Sequence, residues 1–262
     1  MLKFAANLSM MFPELEPPAR FQAARAAGFE AVEFLRPYGT PVADVRQWID
    51  DAGVELILLN SPPGDADAGE KGLAALPGRQ GDFRESLDMA LEYATGLGAG
   101  MIHLMAGVVP DGTSAAACEE VFIDNLKVAA EVANAKGVKL NLEPLNLRDV
   151  PGYLHTDTAH TRRIIEAVGS GNLFLQYDLY HMQIMEGDLA EGLRRNWDLI
   201  SHIQFSSVPG RHEPQYGEVN IPHMFEVIDG LGYTGWVGCE YAPKGDTLAG
   251  LSWAEPYGLG SR

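Results

Sequence analysis

Eight times along this chain a short apolar run is followed by a longer stretch, amphipathic or loop-like, and that alternation limits the fold more than any other feature. The apolar runs lie near Lys3–Leu8, Ala31–Phe34, Val54–Leu59, Met101–Met105, Val138–Glu143, Leu173–Asp178, Leu199–Gln204 and Trp236–Glu240. Runs this short suit strands. The amphipathic stretches near Pro18–Ala27, Val42–Ala52, Phe83–Leu97, Ala115–Lys136, His155–Val168, Leu189–Trp197, Ile221–Leu231 and Thr247–Trp253 suit helices. Gly28, Gly53, Gly98, Gly137 and Gly232 stand where left-handed caps would close helices, and Asp157 and Asn220 where side-chain oxygens would open them. Strands alternating with helices form either a closed barrel or a doubly wound open sheet. The count of eight, the length of 262 residues and the lack of a G-x-G-x-x-G turn after the first strand favour the barrel. The expected architecture is therefore α/β, a (β/α)8 TIM barrel, with residues 1–262 as a single domain. One connection, Asn60–Gly81, is unusually long and rich in Gly, Pro and Asp. It would lie at the C-terminal face of the barrel, as a surface excursion or as a wall or lid of the site.

Charge narrows the function. The chain has 36 acidic and 19 basic residues, a formal net charge of −17, which works against nucleic-acid backbones. An anionic substrate would have to be held by a local cation or a metal. Two cysteines, Cys118 and Cys239, are too few for a disulfide scaffold. With no apolar run of about 18 residues and no basic leader, the expectation is a cytoplasmic protein without membrane partners. Self-association into a homo-oligomer is left open.

The chemistry gathers at the ends of the last four expected strands. Alternate side chains of a strand share a face. Asn141 and Glu143, Gln176 and Asp178, His202 and Gln204, and Gly238 and Glu240 share the polar parity, opposite Leu140, Leu142, Leu175, Tyr177, Ser201, Ile203, Val237 and Cys239. The apolar parity should face the helices, leaving the polar one inside the barrel. Glu143, Asp178, Gln204 and Glu240 would then end four adjacent strands with inward oxygen donors, 26 to 36 residues apart. Buried polar groups of this kind are costly unless paired. Three carboxylates and an amide oxygen form a hard donor set suited to Mg²⁺ or Mn²⁺. Asn141, Gln176 and His202 would lie beneath and orient these ligands. His181, three residues after Asp178, would sit at the top of the barrel within reach of a substrate oxygen; its alternative is a rim histidine packed on Met182. His103 lies in the fourth strand with unresolved parity and takes no role.

These residues sit in a recognisable context. Phe4–Phe12, Pro63–Asp65, Ala68–Glu70, Leu76–Arg79, Leu142–Asn146, Pro151–Tyr153, Tyr177–Gln183, Arg211–Pro214 and Gly235–Tyr241 resemble, in order, the bacterial hydroxypyruvate isomerases of the xylose isomerase-like barrel superfamily. The resemblance implies a paired acid–base set at Glu143 and Glu240, and metal ligands at Glu143, Asp178, Gln204 and Glu240. It implies interconversion of hydroxypyruvate and tartronate semialdehyde through an enediolate, with a small hydroxy-keto acid as the binding partner. His181, Arg211, Arg36 and Lys244 are the candidates to bind that substrate, the three cations through its carboxylate. Other stretches, among them Met105–Pro110 and Val121–Asn125, look closer to 2-oxotetronate isomerases, so either acid stays open. The chain departs from both groups at Ala242, where a lysine is usual, and at Arg36, where an apolar or aromatic residue is common. Two rival readings are a DNA-repair endonuclease, which needs a histidine-rich zinc site and a basic groove, and a non-catalytic binding barrel.

Overall fold

The computed structural model describes residues 1–260. In chain order the elements are β1 (Lys3–Asn7), α1 (Pro17–Ala26), β2 (Ala31–Glu33), α2 (Val42–Ala52), β3 (Glu55–Asn60), α3 (Gln80–Leu97), β4 (Met101–His103), α4 (Ala115–Ala135) and β5 (Lys139–Leu142). They continue with α5 (Thr158–Val168), β6 (Leu173–Asp178), α6 (Leu179–Met185), α7 (Leu189–Asn196), β7 (Ile200–Phe205), α8 (Ile221–Gly230), β8 (Trp236–Cys239), α9 (Thr247–Gly250) and a closing 3₁₀ turn, Leu251–Tyr257. The strands pair in parallel in chain order, and β8 pairs with β1 to close the barrel. The expected (β/α)8 architecture is what the chain forms. None of the described helices is long and apolar enough to cross a membrane.

Local chemistry explains most of the boundaries. Asp157 and Asn220 accept hydrogen bonds from the backbone of His160 (2.7 Å) and His223 (3.3 Å), capping α5 and α8 as expected. The five expected cap glycines all have positive φ, between 67° and 98°. A main apolar core lies between strands and helices, where Val32, Leu56, Ile102, Leu140, Leu175, Ile203 and Val237 are buried. A second, smaller cluster of Ala5, Ala31, Leu35, Ile57 and Leu58, packed by Met101 and Trp236, joins the first strands to one another. Apolar filling on this side contrasts with the last four strands, whose inward positions are polar.

Two features depart from the expected pattern. α6 begins directly at Asp178, whose carboxylate accepts from the Tyr180 backbone at 2.9 Å and caps it. Its first turn, Leu179–Met182, is buried all round, so the sequence shows no polar face to betray a helix. The second departure is in β7. The pairing runs Leu175 to Ile200 and then Gln176 to His202, so Ser201 is the extra residue of a bulge. The sequence alternation put Ser201 on the helix-facing side. The bulge lets its hydroxyl donate to Asn141 Oδ1 at 2.6 Å instead.

The long connection after β3 packs onto the barrel. Gly72 forms an antiparallel bridge to Ala106, Ala75 donates to the Ala106 carbonyl (2.8 Å), and Asn125 Nδ2 holds the Ala74 carbonyl (2.7 Å). Leu73, Ala74, Ala75 and Leu76 are buried beneath it. Gly72 has φ +124°, and a side chain there would collide with the backbone of Met105.

Candidate active site

Glu143, just past β5, is 4% exposed. Its Oε2 accepts from Gln176 Nε2 at 3.1 Å and lies 3.1 Å from His103 Nδ1. Asp178 ends β6 with one oxygen committed to the α6 cap, and Oδ2 free to face the site. Gln204 is fully buried on β7; its Oε1 accepts from Gln176 Nε2 at 2.6 Å. Glu240, just past β8, places Oε2 3.0 Å from Arg211 Nη2. The barrel thus brings together the four side chains that the alternation placed there.

Their electrostatics are severe. Burial raises the Glu143 carboxyl well above its ordinary range, and the neighbouring Glu240 and Asp178 carboxylates raise it further. Asp178 is also raised, by burial first, with Arg211 pulling it back. Glu240 is pushed up to about 8, by burial against the opposing pull of Arg211. Glu143 Oε1, Asp178 Oδ2 and Glu240 Oε2 are all buried without an aligned hydrogen-bond donor. Buried oxygens are rarely left so, because an unmet acceptor costs roughly 1–3 kcal/mol. Together with the Gln204 amide oxygen, they could hold a hard divalent cation.

His181 has a defined protonation pattern in this geometry. The Asn146 backbone N–H donates to its Nδ1 at 2.9 Å. Burial, Arg211 and His103 hold its pKa well below the ordinary value, so the ring is neutral. A neutral ring that accepts at Nδ1 carries its proton on Nε2. That N–H lies 3.7 Å from Asp178 Oδ2 and 3.9 Å from Glu143 Oε1. Ligand-type atoms of Glu143, Asp178 and His181 lie within 4.8 Å of one another. As a ligand His181 would first have to lose this proton; as a donor to a substrate oxygen it is already set.

Arg211 also reaches the site. Its backbone has φ 52°, uncommon for a residue with a side chain, and both of its polar groups are tied, to the Ser207 carbonyl (2.8 Å) and the Ala242 amide (2.9 Å). The guanidinium stacks 4.8 Å over Tyr180. Burial disfavours its charge, but Glu240, Asp178 and Glu143 more than offset that and keep it charged. The other two proposed cations do not join the cluster. Lys244 is exposed with Nζ 4.4 Å over the Tyr216 ring, and Arg36 is exposed with no ion-pair partner among the described residues.

Two residues to which the sequence reading gave no role lie against the site. His103 lies against Glu143, and burial lowers its pKa to about 3, so it is neutral. β4 spans only Met101–His103, too short for alternation to reveal which way His103 points. Glu33, at the end of the equally short β2, is fully buried in the polar side of the barrel. The available signal was an acid set within the apolar run Ala31–Phe34. A cavity of about 380 Å³ is walled by Gly69–Gly72 of the long connection and by Val108, Asp149 and Pro151. Asp149 joins it to the site by accepting from Tyr180 Oη (2.9 Å) and Asn146 Nδ2 (3.1 Å).

A closed parallel barrel with an acidic cluster at the C-terminal strand ends defines a class of barrel enzymes with their chemistry at that face. The family profile described as xylose isomerase-like TIM barrel matches residues 21–257, and the chain belongs to that family. A 2-oxo-tetronate isomerase of Cupriavidus necator is 50% identical over 98% of this chain and 99% of its own length. A hydroxypyruvate isomerase of Escherichia coli K12 is 41% identical over 98% and 100%. The crystal structure of an AP endonuclease, family 2, from Brucella melitensis superposes with TM-score 0.96 at 44% identity, covering 98% of this chain and 99% of that one. The protein is an enzyme of the isomerase class.

Proposed function

We propose that residues 1–262 form a single barrel domain that isomerises short 2-oxo-3-hydroxy acids, with hydroxypyruvate and tartronate semialdehyde as the first substrate pair. The observation that carries this reading is the set of three buried carboxylate oxygens, on Glu143, Asp178 and Glu240, that no well-aligned hydrogen bond satisfies, Arg211 lying beside the last of them. With the Gln204 oxygen they make an all-oxygen set that fits Mg²⁺ or Mn²⁺. When bound, such a cation supplies Lewis-acid polarisation of the substrate carbonyl.

The chain's own groups do the rest. One of Glu143 and Glu240 takes the proton from C3, the electron pair forms the C2–C3 double bond of an enediolate, the O3 hydroxyl proton passes to O2, and the other glutamic acid delivers a proton to C2 as O3 becomes the carbonyl oxygen. Both carboxyls are raised by burial, which suits groups that must gain and lose protons. His181 Nε2–H donates to a substrate oxygen as charge shifts from O2 to O3. Arg211, the one of the three cations that reaches the cluster, would hold the carboxylate; the exposed Arg36 and Lys244 are left as peripheral candidates. This reading is preferred to nucleic-acid cleavage because the donors are oxygens and the net charge is −17.

A second reading, 2-oxotetronate as the main substrate, is favoured by the 50% identical relative. The two acids differ by one CHOH unit, a difference that pockets typically discriminate by about 1–3 kcal/mol. Steady-state kinetics on both, with products read by NMR, is the test. Turnover of both is expected, with hydroxypyruvate ahead. A kcat/KM for 2-oxotetronate far above that for hydroxypyruvate reverses the order, and turnover of neither overturns the proposal.

A further inference from the structure

Below the four strand ends lies a polar cluster for which the reaction itself has no use. Glu33 is fully buried, and both of its oxygens are engaged by side chains from other strands. Oε2 accepts from Asn7 Nδ2 of β1 at 2.8 Å and from Gln204 Nε2 of β7 at 2.9 Å. Oε1 meets His202 Nε2 of β7 at 2.6 Å. The space for this carboxylate is made by β8. A Cβ on Gly238 would fall 2.8 Å from Glu33 Cδ and from Gln204 Cγ, and closer still to a Glu33 oxygen.

An amide has two chemically different ends, and a divalent cation can use only one of them. Gln204 could present either its oxygen or its NH₂ to the site, and its shape alone does not choose. A carboxylate offers only acceptors, so the end that faces Glu33 has to be the NH₂. The oxygen is then turned to the other side, where it accepts from Gln176 Nε2, which also donates to Glu143 Oε2. We propose that Glu33 is the positioning residue that fixes the Gln204 amide with its oxygen on the Glu143 side, and so makes Gln204 an oxygen donor to the divalent cation. This rests on the cation reading of the site. It gives a reason for burying an acid, a glycine and three donors together in a barrel interior that apolar side chains could have filled.

Mn²⁺ alone is the probe, titrated calorimetrically into metal-stripped full-length protein. Glu33→Gln keeps size but brings an NH₂ of its own, so the Gln204 amide loses the carboxylate that accepts only from its NH₂ end and is left with Gln176 alone to select its sense. Mn²⁺ affinity should fall about 10- to 100-fold, the usual effect of losing a ligand's supporting hydrogen bond. Adding Gln204→Glu should restore affinity to within about threefold of the parent, because a carboxylate has two equivalent oxygens and needs no orienting. Asn7→Ala, which leaves the Glu33–Gln204 bond in place, should bind Mn²⁺ within about threefold of the parent. Unchanged affinity in Glu33→Gln would overturn the proposal. So would failure of Gln204→Glu to rescue it, or an equal loss in Asn7→Ala, since any disturbance of the cluster would then suffice. Should Glu33→Gln not fold, the Gln204 NH₂ protons of the parent protein, identified by their loss in Gln204→Glu, provide the second readout. They should stay in slow exchange when Mg²⁺ is added, and fast exchange would overturn the proposal. A parent protein that binds neither Mn²⁺ nor Mg²⁺ removes the cation reading itself, and this inference with it.

Discussion

One backbone contact decides what His181 can do. With Nδ1 occupied by the Asn146 N–H, its only mobile proton is on Nε2, facing the Glu143 and Asp178 carboxylates. His181→Gln keeps an N–H donor but not its reach, so kcat should fall while divalent-cation affinity stays within a few-fold of the parent. An equally large loss of cation affinity, read by calorimetry, would make His181 a ligand instead. Glu143→Gln and Glu240→Gln each retain an oxygen but lose the group that moves the proton. Each should lower kcat by roughly 10²–10⁴, as lost general acid–base catalysis does. Exchange of the substrate's carbon-bound proton with solvent, followed by NMR, identifies the base; a variant that exchanges at the parent rate is not missing it.

At the scale of elements, periodicity decided what could be read in advance. The C-terminal ends of β5 to β8 alternate regularly enough to bring Glu143, Asp178, Gln204 and Glu240 to one end of the barrel, the bulge of β7 falling earlier, at Ser201. Where the period was broken or too short, the sequence was silent. β2 and β4 span three residues each; Glu33 on β2 was passed over, and His103 on β4 was left without a role because its parity could not be read. α6 hides because its first turn has no solvent face, and Ser201 because a bulge reverses its parity. Arg36 and Lys244 went the other way: charge near a strand end suggested a site, but nothing in local sequence fixes where a long exposed side chain rests. Register also makes β8 a sensitive element. Gly238→Ala should force Glu33 and Gln204 apart, and overpacking of this kind typically costs about 1–3 kcal/mol. Denaturant unfolding should show that loss, and Mn²⁺ affinity should fall with it; a variant of parent stability would mean that the barrel yields without cost at this point.

For the molecule as a whole, the acidic cluster links stability, pH and cation binding. The folded barrel raises the Glu143, Asp178 and Glu240 carboxyls above their unfolded values, chiefly by burial, with Glu240 reaching about 8. Between the ordinary carboxyl range and that value the folded chain binds more protons than the unfolded one. Stability without a cation should therefore fall as pH rises from about 5 to about 8, because the carboxyls must then either ionise in a buried site or hold protons at a growing cost. A divalent cation reverses the sense. It needs the carboxylates deprotonated, so its binding releases protons and tightens over the same pH window. Melting curves at pH 5, 6.5 and 8, each with chelator and with Mn²⁺, test the linkage. The increase in Tm produced by Mn²⁺ should be small at pH 5 and grow towards pH 8. Glu240→Gln removes one of the raised carboxyls, so it should flatten the chelator series, which surface carboxylates titrating near their ordinary values would not do. A Tm increment that is the same at all three pH values would mean that these carboxyls are already ionised in the folded chain at pH 5, and that their burial is offset by donors other than the cation.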